Sequence, residues 1–379
     1  MRLYDTARRA VVAFDPGPEV RLYTCGITPY DATHLGHAAT YLVYDVLVRR
    51  LRDRGHRTRC VRNVTDVDDD ILAKAAAEGI GHEELARATV ERFDADMAWL
   101  GTLAPEVEPW ASSAMGEIVA MTADLVDGGH AYEARGGVYF SVVTAEGFGT
   151  LSGLDRPAMV ALAAERGGNP RDPAKRDPLD FVLWQPSAPG EPAWPSPWGP
   201  GRPGWHIECS VLAMRELGPT IDLHGGGSDL VFPHHECEVA QSEAATGRRP
   251  FVSHWLHTAM VRYEGEKMSK SLGNLVRVDE LARSWEAMEV RLALLAHHYR
   301  TDWDWDEALL AGARARLTRW RAAGEGSGGL EAVRAALDDD LDTPTALVAL
   351  DGAAAAGGGV SEGAALLGVG LDPSGGPLP

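Results

Sequence analysis

The stretch Arg21-Leu22-Tyr23-Thr24-Cys25-Gly26-Ile27-Thr28-Pro29-Tyr30-Asp31-Ala32-Thr33-His34-Leu35-Gly36-His37 decides the fold. Arg21 to Thr24 reads as a short β-strand ending at Cys25, and Gly26 to Asp31 as a turn-rich loop. From Leu35 onward the apolar residues Leu35, Ala38, Ala39, Leu42 and Val46 recur at helical spacing. Gly55 closes that helix, and Thr58 to Asn63 reads as a second strand. Two strands joined by a helix run parallel, which is how a nucleotide-binding α/β sheet begins. Ligands of such sheets lie beyond the carboxyl ends of the strands. Here those ends carry Cys25-Gly26-Ile27-Thr28 and Asn63-Val64-Thr65-Asp66.

The remaining chain divides by composition. Residues 71–135 read as helical. Residues 136–200 are rich in Gly and Pro, carry Tyr139, Phe140, Trp184, Trp194 and Trp198, and read as an inserted, mostly irregular, β-containing module. Sheet-like segments return at Thr220 to Leu223 and Thr258 to Arg262. Asp306 to Ala323 is amphipathic, with Leu309, Leu310, Leu317 and Trp320 on one side, and opens a helical C-terminal region. The chain has 379 residues, 45% hydrophobic and 24% charged, which excludes global disorder and allows two or three domains. No apolar run reaches the roughly 18–20 residues of a membrane span, and no signal-peptide pattern opens the chain. Four cysteines in this length are no disulfide framework, so a reducing cytoplasm is expected. Thirty-six basic against 55 acidic residues leave a net charge of −19, which argues mildly against a large nucleic-acid footprint. Local basic patches survive such a total.

Two short motifs carry chemistry. His34-Leu35-Gly36-His37 sits where the first helix begins, so unpaired backbone N–H groups and two imidazoles converge on a place for phosphate. Taken alone, it is an ordinary helix cap. Lys267-Met268-Ser269-Lys270-Ser271, followed by Leu272-Gly273-Asn274, places two lysines and two serines on a loop after a strand, a positive clamp for triphosphate. Taken alone, it is a solvated surface loop. Together, in this order and about 230 residues apart, the pair resembles the signature motifs of the class I aminoacyl-tRNA synthetases. The resemblance implies activation of an amino acid by ATP, giving an aminoacyl-adenylate and pyrophosphate. In it His34, His37, Lys267 and Lys270 are the catalytic residues, and Mg2+ arrives with ATP.

A third set of residues concerns the amino acid. Cys25 ends the first strand, Cys209 lies in Pro203-Gly204-Trp205-His206-Ile207-Glu208-Cys209, and His234 and Glu238 lie in Phe232-Pro233-His234-His235-Glu236-Cys237-Glu238. If Pro233 opens a helix, His234 and Glu238 fall at i and i+4 on one face. Spacing alone does not establish a metal site, since a buried Cys is usually a small hydrophobe. In this setting the same segments resemble the zinc site of the cysteinyl-tRNA synthetases. That implies one Zn2+ per chain on Cys25, Cys209, His234 and Glu238. An open zinc position binds a thiolate far better than a hydroxyl, so cysteine is separated from serine with no editing domain. The substrate and adenylate set implied by the resemblance is Cys25, Gly26, Ile27, Thr28, Thr40, Asn63, Val64, Thr65, Trp205, Gly227, Ser228, Asp229 and Val261. Gly225-Gly226-Gly227 reads by itself as a tight turn, and Trp205 as a core aromatic.

The architecture expected is therefore α/β: a Rossmann-like class I synthetase catalytic domain with an inserted module and a C-terminal helical domain. The divisions are 1–110 and 201–305 for the two catalytic halves, 111–200 for the insert, and 306–379 for the helical region. Gly26 to Thr33 with Ala38-Ala39-Thr40, Glu165-Arg166-Gly167-Gly168-Asn169-Pro170, and His297 to Trp303 resemble a ligase branch of the family. That branch, in mycothiol biosynthesis, joins L-cysteine to the amine of glucosaminyl-inositol. The absence of a further anticodon-reading module implies no tRNA partner. Asp68-Asp69-Asp70-Ile71-Leu72 and Glu238 are instead closer to the synthetases. The alternatives are a compact cysteinyl-tRNA synthetase, a paralogue that ligates cysteine to another amine, and a non-catalytic paralogue. A monomer without membrane contact is expected.

Overall fold

The computed structural model describes residues 1–268 and 273–372. Lys270 therefore lies outside the described residues.

Strands β1 (Arg2–Asp5) and β2 (Ala10–Ala13) form an antiparallel hairpin. Strand β3 (Glu19–Ile27) is longer at both ends than its alternation predicts. Cys25, Gly26 and Ile27 lie inside it, because the register to its neighbour slips between Thr24 and Ile27 and the chain stays extended. Helix α1 (Leu35–Asp53) buries Leu35, Ala38, Leu42 and Val46 of the predicted stripe and leaves Ala39 half-buried, and Gly55 at φ +89° completes the exit after it. Strand β4 (Arg57–Val64) returns parallel to β3, with Leu22 opposite Cys60. Helices α2 (Asp69–Glu78), α3 (His82–Trp99) and α4 (Met115–Asp127) follow.

The chain from Ala131 to Pro203 is more regular than its composition predicts, and its sheet runs past the division expected at residue 200. Strands β5 (Ala131–Ala134), β6 (Gly137–Phe140), β7 (Phe181–Pro186) and β8 (Gly201–Pro203) make one antiparallel sheet in sequence order. Helix α5 (Arg156–Glu165), unforeseen, starts on Asp155, whose carboxylate accepts from Ala158 N at 2.9 Å, with Pro157 in its first turn.

Helix α6 (Trp205–Leu217) leads to β9 (Leu223–Gly227), helix α7 (Glu236–Thr246) and β10 (Trp255–Thr258). The central sheet runs β10-β9-β3-β4, all parallel. The glycines expected to turn are in β9 itself. A Cβ on Gly225 would stand 2.0 Å from Leu256 O and 2.1 Å from the Tyr44 hydroxyl, so α1 packs this close only over glycine. Beyond β11 (Val261–Tyr263) and β12 (Glu266–Lys267) come α8 (Val278–Leu281), α9 (Ala287–Leu295) and β13 (Trp303–Trp305).

The tail is helical as predicted: α10 (Ala308–Ala323), α11 (Leu330–Asp338), α12 (Thr343–Ala355) and α13 (Ser361–Leu366). Leu310, Leu317 and Trp320 of α10 are buried in the cluster that also holds Leu35, Leu42 and Leu292. At about 1.5–3 kcal/mol per large apolar side chain, that seam fastens the tail to the sheet's helical layer. Arg291, fully buried, pins the same layers: it meets Asp45 of α1 and donates to Leu100 O at 3.1 Å and Leu367 O at 2.7 Å. Among the described residues no helix is long and apolar enough to cross a membrane.

Candidate active site

Cys25 projects from the end of β3, Cys209 from the second turn of α6, and His234 and Glu238 from the ribbon that becomes α7. All four are buried, and their ligand atoms lie within 4.8 Å of one another. The two sulfurs are 3.8 Å apart, Cys25 Sγ is 3.6 Å from Glu238 Oε1, and His234 Nε2 is 3.1 Å from that oxygen. A tetrahedral ion with metal–sulfur bonds of about 2.3 Å and metal–oxygen or –nitrogen bonds of about 2.0–2.2 Å needs edges of roughly 3.3–3.8 Å. The two edges from Cys25 fall in that range and the His234–Glu238 edge, at 3.1 Å, lies just below it, so the constellation could hold a zinc-sized ion, and its two thiols favour a soft one. His234 does reach Glu238 one turn on, although Pro233 lies in the turn before α7 rather than at its start.

Charge explains why these groups tolerate burial. The hydrogen bond from the Cys25 thiol lowers the Cys209 thiol, while burial pushes Cys25 up. Burial pulls His234 down, but the charges of Cys209 and Glu238 overcome it and hold the imidazole up to about 10. Burial likewise pushes Glu238 up, yet His224 and His234 hold its carboxyl at about 2. The pocket stabilises a thiolate and a carboxylate where neither would survive alone.

Four histidines escaped the sequence reading. His224 Nε2 lies 3.0 Å from Glu238 Oε2, and His206 Nδ1 lies 3.0 Å from His234 Nδ1. His235 Nε2 lies 3.2 Å from Cys25 Sγ, and His235 Nδ1 lies 2.7 Å from His257 Nε2. Burial holds His206, His235 and His257 below the usual range, His257 at about 3. Cys25, His224, His235 and Glu238 form a second group with ligand atoms within 4.8 Å. One-sided crowding of histidines between 206 and 257 was the available signal. Among the described residues, neither Cys60 nor Cys237 belongs to such a group.

The strand ends are held by the polar residues predicted there. Asn63 Oδ1 accepts from Gly26 N at 2.8 Å, and its Nδ2 donates to Thr65 Oγ1 at 3.0 Å. A Cβ on Gly26 would lie 1.5 Å from Asn63 O. Ile27, Asn63, Val64 and Thr65 are buried, whereas Thr28 is half-buried. Thr40 Oγ1 meets Thr258 Oγ1 at 2.9 Å. The Trp205 ring packs 4.3 Å from His234, so it walls the cluster rather than a core. Gly227 ends β9, Ser228 is exposed, and the Asp229 carbonyl accepts from Arg166 of the insert. Arg166 also reaches Phe232 O, and buried Glu236 accepts from Gly149 N and Ser152 N, both at 2.8 Å. The insert thus clamps the ribbon that carries His234.

At the helix mouth, His34 caps α1, accepting from Gly36 N at 3.1 Å, and its ring stacks on His37 at 3.9 Å. Backbone bonds tie the start of α1 to the segment at Val276 and Val278. Leu35 N donates to Val276 O at 2.9 Å and Val278 N to Thr33 O at 3.2 Å. Val276 and Val278, downstream of the second motif, therefore pair with the residues entering α1. Lys267 lies in β12, and Val261 is buried in β11.

Residues 13–315 match the family described as tRNA synthetases class I (C) catalytic domain. A protein of Frankia casuarinae, named L-cysteine:1D-myo-inositol 2-amino-2-deoxy-alpha-D-glucopyranoside ligase, is 50% identical over 100% of this chain and 83% of its own length. Proteins of the same name from Thermobispora bispora and Kribbella flavida are 50% and 47% identical, covering 94% and 98% of this chain and 90% and 94% of their own. Among solved structures, Mycobacterium tuberculosis methionyl-tRNA synthetase in complex with methionyl-adenylate superposes with a TM-score of 0.65 at 17% identity, covering 88% of this chain and 82% of that one. A putative arginyl-tRNA synthetase from Campylobacter jejuni gives 0.59 at 12% identity, covering 92% and 89%. These two likenesses concern the fold.

Proposed function

The chain belongs to the tRNA synthetases class I (C) catalytic domain family, and from that premise we propose that it activates L-cysteine with ATP and joins it to the amine of glucosaminyl-inositol. The observation that carries the acceptor is identity near 50% along almost the whole chain to ligases named for that substrate. The buried Cys25, Cys209, His234 and Glu238 cluster supports cysteine as the amino acid.

In this reading the four cluster residues hold Zn2+, which supplies selectivity for a thiolate over a hydroxyl. Trp205 walls the side chain, and Gly26, Ile27, Thr28, Thr40, Asn63, Val64 and Thr65 shape the space beside it. The cysteine carboxylate attacks the α-phosphorus of ATP in line, and the bond to the β-phosphate oxygen breaks to release pyrophosphate. His34 and His37 donate to the transferring phosphates, and Lys267 and Lys270 neutralise the charge that develops. Mg2+ travels with ATP. Gly227, Ser228, Asp229 and the backbone of Val261 hold the adenosine. The sugar amine then attacks the adenylate carbonyl and gives up a proton, and AMP leaves as the amide forms. No covalent enzyme intermediate is needed, so positioning and fixed charge supply the rate. The divisions 1–110, 111–200, 201–305 and 306–379 belong to the same proposal, as do the monomeric state, the cytoplasmic location and the absence of a tRNA partner.

The test supplies purified protein with zinc, ATP and cysteine, and adds glucosaminyl-inositol and unfractionated tRNA separately, with AMP release and product mass recorded. A cysteinyl amide of the sugar without charged tRNA is expected. Charged tRNA would overturn the acceptor, and AMP release with neither would assign a different amine.

A further inference from the structure

A hydrogen-bonded line runs from the N-terminal hairpin to the cluster. Thr6 Oγ1 lies 2.7 Å from His257 Nδ1, His257 Nε2 lies 2.7 Å from His235 Nδ1, and His235 Nε2 lies 3.2 Å from Cys25 Sγ. The three links use both nitrogens of both rings. A neutral imidazole carries one N–H and one lone pair, so choosing the proton position on one ring fixes it on the next.

From this line we infer that Thr6 is a positioning residue for the metal centre: its hydroxyl sets the tautomers of His257 and His235 so that His235 Nε2–H donates to the Cys25 sulfur. The inference rests on the reading above that Cys25 holds a metal as a thiolate, because such a sulfur accepts a hydrogen bond and donates none. Inward donation at Cys25 requires Nε2–H on His235, a bare Nδ1 there, Nε2–H on His257 and a bare Nδ1 facing Thr6. Only a donor satisfies that last nitrogen, and the threonine hydroxyl is one. Packing holds the rings but leaves the proton free to choose. Trp255 lies 5.0 Å from the His235 ring and 6.0 Å from His257, its plane almost parallel to the latter at 5°. Thr6 itself is held in place, since its N donates to Trp255 O at 2.9 Å and neighbouring Asp5 Oδ1 accepts from Trp255 N at 3.2 Å. The hairpin so lies along the outer edge of β10, over 200 residues away in sequence, and reaches the cluster through two rings.

The experiment compares Thr6→Val, which keeps the shape and removes the donor, with Thr6→Ser, which restores it. Zinc affinity is measured by chelator competition, together with the sulfur-to-metal charge-transfer band of the cobalt-substituted protein. Thr6→Val is expected to bind zinc about 10-fold more weakly and shift the band, the lower end of the 10–100-fold range for outer-sphere partners. Thr6→Ser is expected to match the wild type. Unchanged affinity in Thr6→Val, or equal loss in both variants, overturns the role of Thr6 and leaves the metal assignment standing. Failure of the wild-type chain to bind zinc overturns both. A measurement free of substitution uses nitrogen-15 spectra of the zinc-loaded wild type. Protons on Nε2 of both His235 and His257 are expected, and a proton on Nδ1 of His257 refutes the inference.

Discussion

Glu236→Gln removes one charge and almost no volume at the place where the insert grips the catalytic ribbon. The Glu236 carboxylate is buried and accepts from Gly149 N at 2.8 Å and Leu151 N at 3.4 Å through one oxygen, and from Ser152 N at 2.8 Å through the other. A glutamine keeps an acceptor for one side only and turns its NH2 toward a backbone N–H on the other. One charge-assisted bond is lost, worth about 1.5–3 kcal/mol, and a buried donor faces a donor. The expected cost is about 2–3 kcal/mol, a large share of the roughly 5–15 kcal/mol of a typical domain. Glu236→Ala should cost more, about 3–5 kcal/mol, since all three N–H groups lose their partner. Urea denaturation of both variants gives the energies, and hydrogen exchange reports locally, with the Gly149 and Ser152 amides exchanging faster. Because Glu236 stands between His234 and Glu238, zinc affinity should fall alongside. A Glu236→Gln variant within about 0.5 kcal/mol of wild type, with both amides as protected as before, would refute the clamp.

Three other outcomes are expected. Cys209→Ser should lose zinc and cysteine-dependent ATP–pyrophosphate exchange together, each by more than about 100-fold given the cost of even outer-sphere changes, measured by metal analysis and isotope exchange. Gly26→Ala should force β3 and β4 apart, since its Cβ would meet Asn63 O at 1.5 Å; a loss of about 2–4 kcal/mol in urea is expected, with cysteine activation falling in parallel. Burial pushes the Asp45 carboxyl up, but Arg291 and Arg49 pull it further down. Its folded value lies below the unfolded one of about 4, so its stabilisation is full above that pH and is lost as pH falls through the folded value. Stability measured in urea from pH 7 to 3 should therefore drop less steeply in Asp45→Asn than in wild type, although the variant starts about 3–5 kcal/mol lower.

Local pattern accounts for what the sequence made legible. The apolar stripe from Leu35 to Val46 and the strands around Leu22 and Val61 announce their period, and the structure keeps them. Gly225, Gly226 and Gly227 announce a turn and instead form strand, because the approach of Tyr44 and Leu256 outweighs glycine's weak strand preference. Helix α5 hides between glycine-rich flanks, where its Asp155 and Pro157 start signal is the sole local cue. At the site, Cys25, Cys209, His234 and Glu238 do converge, but on resemblance more than on spacing. His206, His224, His235 and His257 stayed hidden because a histidine's place in a hydrogen-bonded cluster depends on partners far along the chain. Thr6 is the extreme case: its partner is 251 residues away.

The cluster's parentage has a consequence for how the protein is made. Cys25 and Cys209 are 184 residues apart, and Cys25 and Glu238 213. Their meeting depends on β9 pairing with β3, a long-range contact of the kind that forms late. At a synthesis rate of about 5–20 residues per second, the ribosome delivers Glu238 roughly 10–40 s after Cys25. Until Cys209 follows 184 residues later, the first thiol waits in an unfinished chain, with half of its sheet present and without the cluster's second sulfur to share an ion. A metal held by this cluster would therefore enter as one of the last components, a closing rivet rather than a template, and nascent chains starved of zinc should finish their sheet and accumulate as a folded apoprotein with reduced thiols.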